Sequence, residues 1–327
     1  MPEDAQPVTV TLCMNHRWNS DDAAGLLQAG MTPAQLRAVL NSVDDLGAYL
    51  SLSDKALIEL GVERVTPKHV TADEVHTVVL GSEAYPAHLT GISSPPPVLW
   101  VKGNLGALRP GLAVIGTRRI SEIGQSIAKA AAAAAGAVGT TVISGLAKGC
   151  DRAAHEAALE NNVPTVAVLA CGLDTVYPDI HAELAARIIE SGGALVSETP
   201  LGESVSPARL HSRNRVIIGL AHSVIPCEAD SSSNGTIGAI KHAVHEGRMV
   251  LVAEVKPKWR RQRGAWLASM LASPTPDFSA LGISAQAASR IGSGQIANGV
   301  ASTRTELESM VLIASVFGSR SAADQLG

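Results

Sequence analysis

The sequence predicts an α/β protein built on a doubly wound, mainly parallel sheet. Three observations predict it. From residue 112 onward, short apolar, β-branched runs alternate with helix-length segments. Those runs are apolar almost throughout, as strands are when helices cover both faces of a sheet. The chain, 327 residues with 46% hydrophobic side chains, is also long enough for about two domains and a sizeable core.

The first 80 residues read as a small helical domain of sterile-alpha-motif or helix–hairpin–helix type. Asp21 and Asp22 place carboxylates at a helix start before Leu26 and Leu27. Thr32-Pro33 reads as an N-cap with Pro at the first helical position, and Leu36, Val39 and Leu40 share one face. Ser53 to Leu60 repeats the pattern and Gly61 suits its stop. A separate minor core is the preferred reading over a DNA-gripping hairpin. Residues 81–111 read as a Pro-rich linker, with Pro95-Pro96-Pro97 as a stiff extended spacer.

The sheet domain spans 112–255. Its expected strands are Leu112–Ile115, Thr140–Ile143, Thr165–Leu169, Ala194–Val196, Ser223–Cys227 and Met249–Ala253. Between them helices are expected near Glu122–Ala137, Asp151–Glu160, Ile180–Ser191, Asn214–Ala221 and Thr236–His245. The alanine run 130–135 combines high helix propensity with a side chain small enough for close packing on a sheet. Residues 256–327 form a basic extension with an irregular start. One more helix is expected at Thr303–Phe317, where Thr303 and Glu306 make a capping box.

Composition excludes several classes. Only nine aromatics are present, which counts against sheets that stack rows of bases. Cys13, Cys150, Cys171 and Cys227 contain no C-x-x-C pair, so no zinc ribbon is expected, and four scattered cysteines suit a reducing compartment. The start Met1-Pro2-Glu3-Asp4 is not expected to act as a signal peptide. No apolar run of about 18 residues exists, so no membrane partner is expected and the cytoplasm is the expected location. Residues 1–108 carry a net charge of −6, 109–255 of −2 and 256–327 of +4. An anionic partner must therefore meet a local basic site rather than a general field.

Ligands of open parallel sheets bind at the carboxyl ends of the strands. After the first of these strands stands Gly116-Thr117-Arg118-Arg119. It lacks the G-x-G-x-x-G dinucleotide pattern, and either a phosphate loop or a turn with solvated arginines fits it. After the second comes Ser144 to His155, where Gly145 and Gly149 permit close backbone approach and Lys148 adds charge. Asp151 stands at a helix start and His155 one turn on. A Ser144, Asp151, His155 triad is disfavoured, because the three crowd one turn and no nucleophile elbow precedes them. Asp174 and Tyr177 follow the third strand and Glu198 the fourth. Arg213-Asn214-Arg215 reads as the start of a helix and hence as an anion site. Gly235-Thr236 closes a hydroxyl-rich loop. The candidate phosphate- or DNA-binding residues are thus Gly116, Thr117, Arg118, Ser144, Gly145, Lys148, Gly149, Arg213, Asn214, Arg215, Gly235 and Thr236. Asp151, His155, Asp174, Tyr177 and Glu198 are expected to shape the pocket. No catalytic residue, metal or cofactor is assigned.

Several of these motifs, in order, resemble one family. Gly116-Thr117-Arg118, Ser144 to His155, Gly172 to Pro178, Ser197-Glu198-Thr199-Pro200 and Arg213 to Leu220 are similar to the DprA/Smf DNA-processing proteins of bacteria. That family lies within the SLOG group of Rossmann-like folds, and the resemblance covers residues 83–255. It implies a cytoplasmic protein that binds single-stranded DNA without cutting it. It further implies a homodimer that protects incoming strands and loads the recombinase RecA during natural transformation. It also implies a basic groove of Arg118, Lys148, Arg213 and Arg215, with Asn214 ordering the loop. The chain departs from the family at Thr117, at Cys150, at Leu210-His211-Ser212 and at Ser233-Asn234-Gly235-Thr236, and 256–327 shows no winged helix.

Two further readings compete. A SLOG-type phosphoribohydrolase would need a glutamate three residues after Thr236, where Ala239 stands. A nucleotide-sensing module would use the same Gly-Thr-Arg pocket. The segment Lys256–Trp266, with five basic residues in eight, is either a solvated linker or a second nucleic-acid contact.

Overall fold

The structure is a computed structural model, and it describes residues 18–68, 71–254, 267, 270, 271, 273 and 299–323. The apolar runs form β3 (Gly111–Ile115), β4 (Val142–Ser144), β5 (Thr165–Leu169), β6 (Ala194–Ser197), β7 (Ala221–Pro226) and β8 (Met249–Ala253). Three strands join them that the sequence reading did not contain: β1 (Val75–Val79), β2 (Val98–Gly103) and β9 (Gly299–Ala301). The nine strands of this sheet lie in the order β1-β2-β6-β5-β4-β3-β7-β8-β9. All pairings from β6 through to β9 are parallel, while β1–β2 and β2–β6 are antiparallel. After β3 the chain winds toward β6, then returns to place β7 on the other side of β3. The switch point lies there, and the carboxyl ends of β3 and β7 border a crevice.

Alternate side chains of each strand enter different layers. Ala113, Ile115, Val166, Val168, Val224 and Val250 belong to one cluster, under α5 (Ala87–Thr90), α9 (Pro207–Gly219) and α10 (Asn234–His245). Leu112, Val114, Ile225 and Leu251 belong to the opposite layer, under α6 (Glu122–Ala137), α7 (Cys150–Glu160) and α11 (Arg304–Ala323). Buried alanines supply most of the α6 and α7 contribution, including Ala128, Ala131 and Ala135 against Ala154, Ala157 and Ala158. Their small side chains let two helices and the sheet approach closely.

The N-terminal helices are α1 (Ser20–Gln28), α2 (Pro33–Ser42), α3 (Leu46–Leu50) and α4 (Asp54–Glu59). Thr32 and Gln35 cap α2 reciprocally. The expected separate minor core is instead a shared one. Leu26, Leu36, Val39 and Tyr49 lie in one cluster with Trp100 of β2, Leu169 of β5 and Leu184 of α8 (Ala182–Glu190). A few short helices carry too little apolar surface to form a core alone, and the remaining half-face of the sheet completes it.

The expected linker is also corrected. Val98 to Val101 is fully buried and pairs on both edges as β2. The proline run before it is clamped. Prolines donate no N–H, but their carbonyls still need donors. Arg215 donates to Ser94 O. Arg37 Nη1 donates to Pro95 O at 3.2 Å, Tyr85 Oη to Pro96 O at 2.8 Å and Leu80 N to Pro97 O at 2.9 Å. Four successive carbonyls are thus held from four different segments. At the other end of the chain, Thr303 and Glu306 form their capping box and α11 runs to Ala323. The segment Lys256–Trp266 lies outside the described residues.

Buried histidines give the fold a pH dependence. Burial lowers His88 and His155 to about 3 and His222 to about 4, from an ordinary 6.5. Between those values the folded chain keeps them neutral while the unfolded chain protonates them. Stability should therefore fall as the pH drops from about 6.5 toward 4, each histidine adding up to about 1.4 kcal/mol per pH unit. Burial also raises Asp151 and Glu198. That shift has the opposite sign and offsets part of the loss in acid. Urea unfolding at pH 7 and pH 4.5 should differ by several kcal/mol. A flat profile would contradict the assignment of neutral buried rings.

Candidate functional site

A cleft of about 500 Å³ opens at the switch point, between the ends of β3 and β7 and the helices α9 and α10. Its floor is Ile115 to Arg119, one wall is α9 from Pro207 to Ile217, and the other is Asp230 to Ala239. A side cleft of about 190 Å³ adjoins it, reached past Arg118 and Arg213 and bounded by Gly145, Lys148, Tyr177 and Pro178. A third hollow of about 500 Å³ runs between α6 and α7 and also borders Arg118 and Arg119. Arg118 therefore stands where all three meet.

The loops are locked to one another through backbone groups. Thr117 N donates to Glu228 O at 2.8 Å, Cys150 N to Thr117 O at 3.0 Å and Cys227 N to Ile115 O at 2.9 Å. The Thr117 hydroxyl accepts from Arg119 N at 3.2 Å. Gly149, at φ +81°, lies so close to the Thr117 and Arg118 backbone that a Cβ would overlap both. Leu146 holds φ 59°, a conformation costing roughly 1–2 kcal/mol for a residue with a Cβ. His181 Nδ1 donates to its carbonyl at 2.7 Å and fixes it there. The acids near the cleft are occupied. Glu228 Oε2 accepts from the N–H of Ser121, the N-cap of α6, at 2.7 Å, and Asp230 Oδ1 accepts from Ser232 N at 3.0 Å.

Arg213 is the central side chain. It is 6% exposed, yet it borders both the main and the side cleft. Nη1 donates to Val168 O at 3.1 Å, and Nε has no partner. Asp151, also buried, accepts from Ala147 N at 3.2 Å. Burial pushes its carboxyl up, and the Arg213 charge pulls it back. Burial likewise lowers Arg213, against the pull of Asp151. An arginine stays protonated regardless, so the cleft holds a fixed buried cation whose Nε–H is unspent. Around it stand the exposed Arg118, Arg119 and Lys148, with which no carboxylate pairs among the described residues.

The expected helix start at Arg213 is corrected. Helix α9 begins at Pro207, with the Ser206 hydroxyl accepting from Arg209 N at 3.2 Å. Ser followed by Pro caps and starts a helix better than anything at 212–214. The three residues lie mid-helix, so the cleft gains their side chains and no helix-end amides. Asn214 Nδ2 donates to Gly235 O at 3.1 Å and joins α9 to the start of α10. Arg215 points elsewhere. It pairs with Glu198 and reaches Ser94 O, and neither Arg215 nor Glu198 borders any of these three hollows.

The other expected residues divide similarly. Gly116, Thr117, Arg118, Asp151, Gly235 and Thr236 border the main cleft. Gly145, Lys148 and Tyr177 border the side cleft, and Gly149 the hollow along α7. Three support from beneath or aside. Ser144 donates to Val114 O at 2.6 Å, the buried His155 Nδ1 meets Thr165 Oγ1 at 2.7 Å, and Asp174 accepts from Gly202 N at 2.8 Å. Thr165 donates onward to Val142 O, so His155 is the donor in that pair. Arg119 and Ser232 to Asn234, read only as parts of their loops, and His211 also border the cleft, though none was among the candidate binding residues. For α9 the signal was present: Pro207, Leu210, His211, Asn214 and Ile217 recur at helical spacing once the helix is started at Pro207. No trio of potential metal ligands occurs among the described residues.

A family model described as DNA recombination-mediator protein A matches residues 76–273. Protein Smf of Escherichia coli K12 is 34% identical over 255 residues, 75% of this chain and 64% of that protein. DNA processing protein DprA of Streptococcus pneumoniae is 33% identical over 238 residues, 69% of this chain and 83% of that protein. The chain thus spans less than two thirds of the Escherichia coli protein, and 46% of a second Smf protein, from Synechocystis. Among solved structures, DNA processing protein A from S. pneumoniae has a TM-score of 0.58 at 23% identity, covering 90% of this chain and 93% of that one. The DNA processing protein A from Helicobacter pylori, solved to describe its single-stranded DNA binding mode, has 0.58 at 22% identity, covering 73% and 96%. These two likenesses carry the Rossmann-like fold.

Gly145 faces the Arg213 guanidinium so closely that a Cβ would overlap it. Gly145→Ala should therefore displace Arg213 from the Val168 carbonyl and destabilise the chain by about 2 kcal/mol, as overpacking does. Urea denaturation checks this, and an unchanged midpoint would contradict the contact.

Proposed function

Because the chain belongs to the DNA recombination-mediator protein A family of DprA/Smf DNA-processing proteins, we propose that its cleft binds single-stranded DNA by the phosphates and does not cut it. One observation carries the reading. A buried arginine with an unpartnered Nε borders the cleft, and three unpaired cations surround its mouth, in a chain whose net charge is −4. A phosphodiester supplies the acceptors that this constellation lacks.

The hydrolase alternative loses support at a specific position. Ala239 borders the cleft where that chemistry would need a glutamate. The acids that are close, Asp151, Glu228 and Asp230, already accept from backbone N–H groups. Protecting an incoming strand and passing it, from a homodimer, to a RecA-type recombinase is the wider role that such binding would serve.

Mobility shifts should favour oligo-dT over duplex DNA of equal length. The logarithm of the affinity should fall with the logarithm of salt concentration, with a slope of about −0.7 per phosphate neutralised. Arg118→Ala should weaken binding to all sequences alike and flatten that slope by about 0.7. Arg215→Ala should lower the unfolding midpoint and leave the slope unchanged, because its charge is spent on Glu198 and Ser94. Unchanged affinity in both Arg118→Ala and Arg119→Ala would refute phosphate binding at this cleft.

A further inference from the structure

Two thiols meet beneath the floor of the main cleft. Cys150 opens α7 and Cys227 directly follows β7, and both are buried and free. Their backbones bracket the end of β3. Cys150 N donates to Thr117 O at 3.0 Å, and Cys227 N donates to Ile115 O at 2.9 Å. Between those two acceptors stands Gly116, where a Cβ would overlap the Cys150 sulfur. Gly116 also borders the cleft, so no side chain at that position covers the sulfur from the cleft side. The two thiols hydrogen-bond to each other. That bond first, and burial second, hold the Cys227 thiol well above its ordinary value. Cys227 therefore keeps its proton and donates it toward the Cys150 sulfur. Negative charge on Cys150 would meet the positive end of an 11-residue helix. Cys171 is placed differently, with its thiol on the Thr175 carbonyl at 3.8 Å.

We propose that Cys150 and Cys227 are a redox-modification site, which hydrogen peroxide converts to a disulfide that loosens the cleft. The Cys150 sulfur attacks the peroxide O–O bond, becomes a sulfenic acid and releases one water. The Cys227 sulfur then displaces the sulfenic oxygen, which leaves with the Cys227 proton as a second water. Two thiols lose two electrons and two hydrogens, and one peroxide is reduced to two waters. A thiol reductant reverses the step by exchange. The new bond draws the two sulfurs from hydrogen-bond contact to about 2 Å. It pulls the start of α7 toward the end of β7, and Gly116 between them has no room to give. The floor that carries Thr117 and Arg118 must shift. The effect on affinity rests on the strand-binding reading above and gives that cleft a redox control.

The test uses the full chain carrying Cys13→Ser, which removes the cysteine outside the described residues. The protein is treated with excess hydrogen peroxide and afterwards with dithiothreitol. Peptide mapping without reduction should find Cys150 joined to Cys227 and Cys171 unlinked. Fluorescence anisotropy with oligo-dT should show an affinity about tenfold lower after peroxide, the equivalent of one lost charge-assisted contact. Dithiothreitol should restore it. Cys150→Ala and Cys227→Ala, each added separately, should abolish the response to peroxide, with circular dichroism showing that each is folded. Should one variant fail to fold, the other and the peptide map still decide. Absence of the Cys150–Cys227 link after peroxide would overturn the proposal. So would a complete link with unchanged affinity, or a full response to peroxide in either folded variant. Failure of the reduced chain to bind oligo-dT would instead overturn the strand-binding reading, and the control of affinity with it, even where the disulfide forms.

Discussion

The guanidinium of Arg213 is a charge that cannot be discharged, set where water barely reaches it. Everything around it follows from that constraint. A buried arginine needs acceptors, so the end of β5 turns the Val168 carbonyl toward Nη1. It needs a countercharge, and Asp151 at the start of α7 lies close enough to feel it. It needs space, which Gly145 provides by having no side chain. The strand-to-helix loop then bends through a strained Leu146 and over Gly149, and His181 Nδ1 holds the turn by donating to the Leu146 carbonyl. Breaking such a buried arrangement by removing one partner costs several times what an exposed ion pair contributes. The loop residues are thus packing residues first, and their packing leaves one donor unspent at the cleft.

Arg215, two residues on, illustrates the other half of the design. Positions i and i+2 of a helix point to nearly opposite sides. Arg213 therefore enters the cleft while Arg215 leaves it and meets Glu198 and the proline run. One helix, α9, ties the cleft to the segment that feeds β2, which Arg37 of α2 also holds. The helical N-terminal region is joined to the sheet by this polar clamp as well as by the apolar layer around Trp100. A cleft-lining arginine and a bracing arginine sit side by side in sequence, and only the helical phase separates them.

Much of this was legible in the sequence. The six β-branched runs became six strands, with helix Glu122–Ala137 matching residue for residue, because burial on both faces writes itself into composition. The loops at the strand ends were legible because glycines, hydroxyls and cations there have few purely structural explanations in combination. The missed strands β1 and β2 share one cause. Val98 to Val101 was a strand hidden by the prolines before it. Val75–Val79 was hidden by a burial pattern in which only its last two residues are buried. Both depend on partners distant in the chain, Ser197 and Lys102 among them.

By itself the sequence determined the layered α/β class, the position of the crevice and the types of group that line it. These follow from local periodicity and from the rule that parallel strands offer their carboxyl ends. The tertiary structure decided which cation faces the cleft and which one braces the chain. It also decided that a proline run is clamped rather than free, and that Tyr177 stands beside a hollow rather than on an open surface. Those outcomes depend on which donors and acceptors meet across 45 to 121 residues of separation, and no local pattern encodes such a meeting.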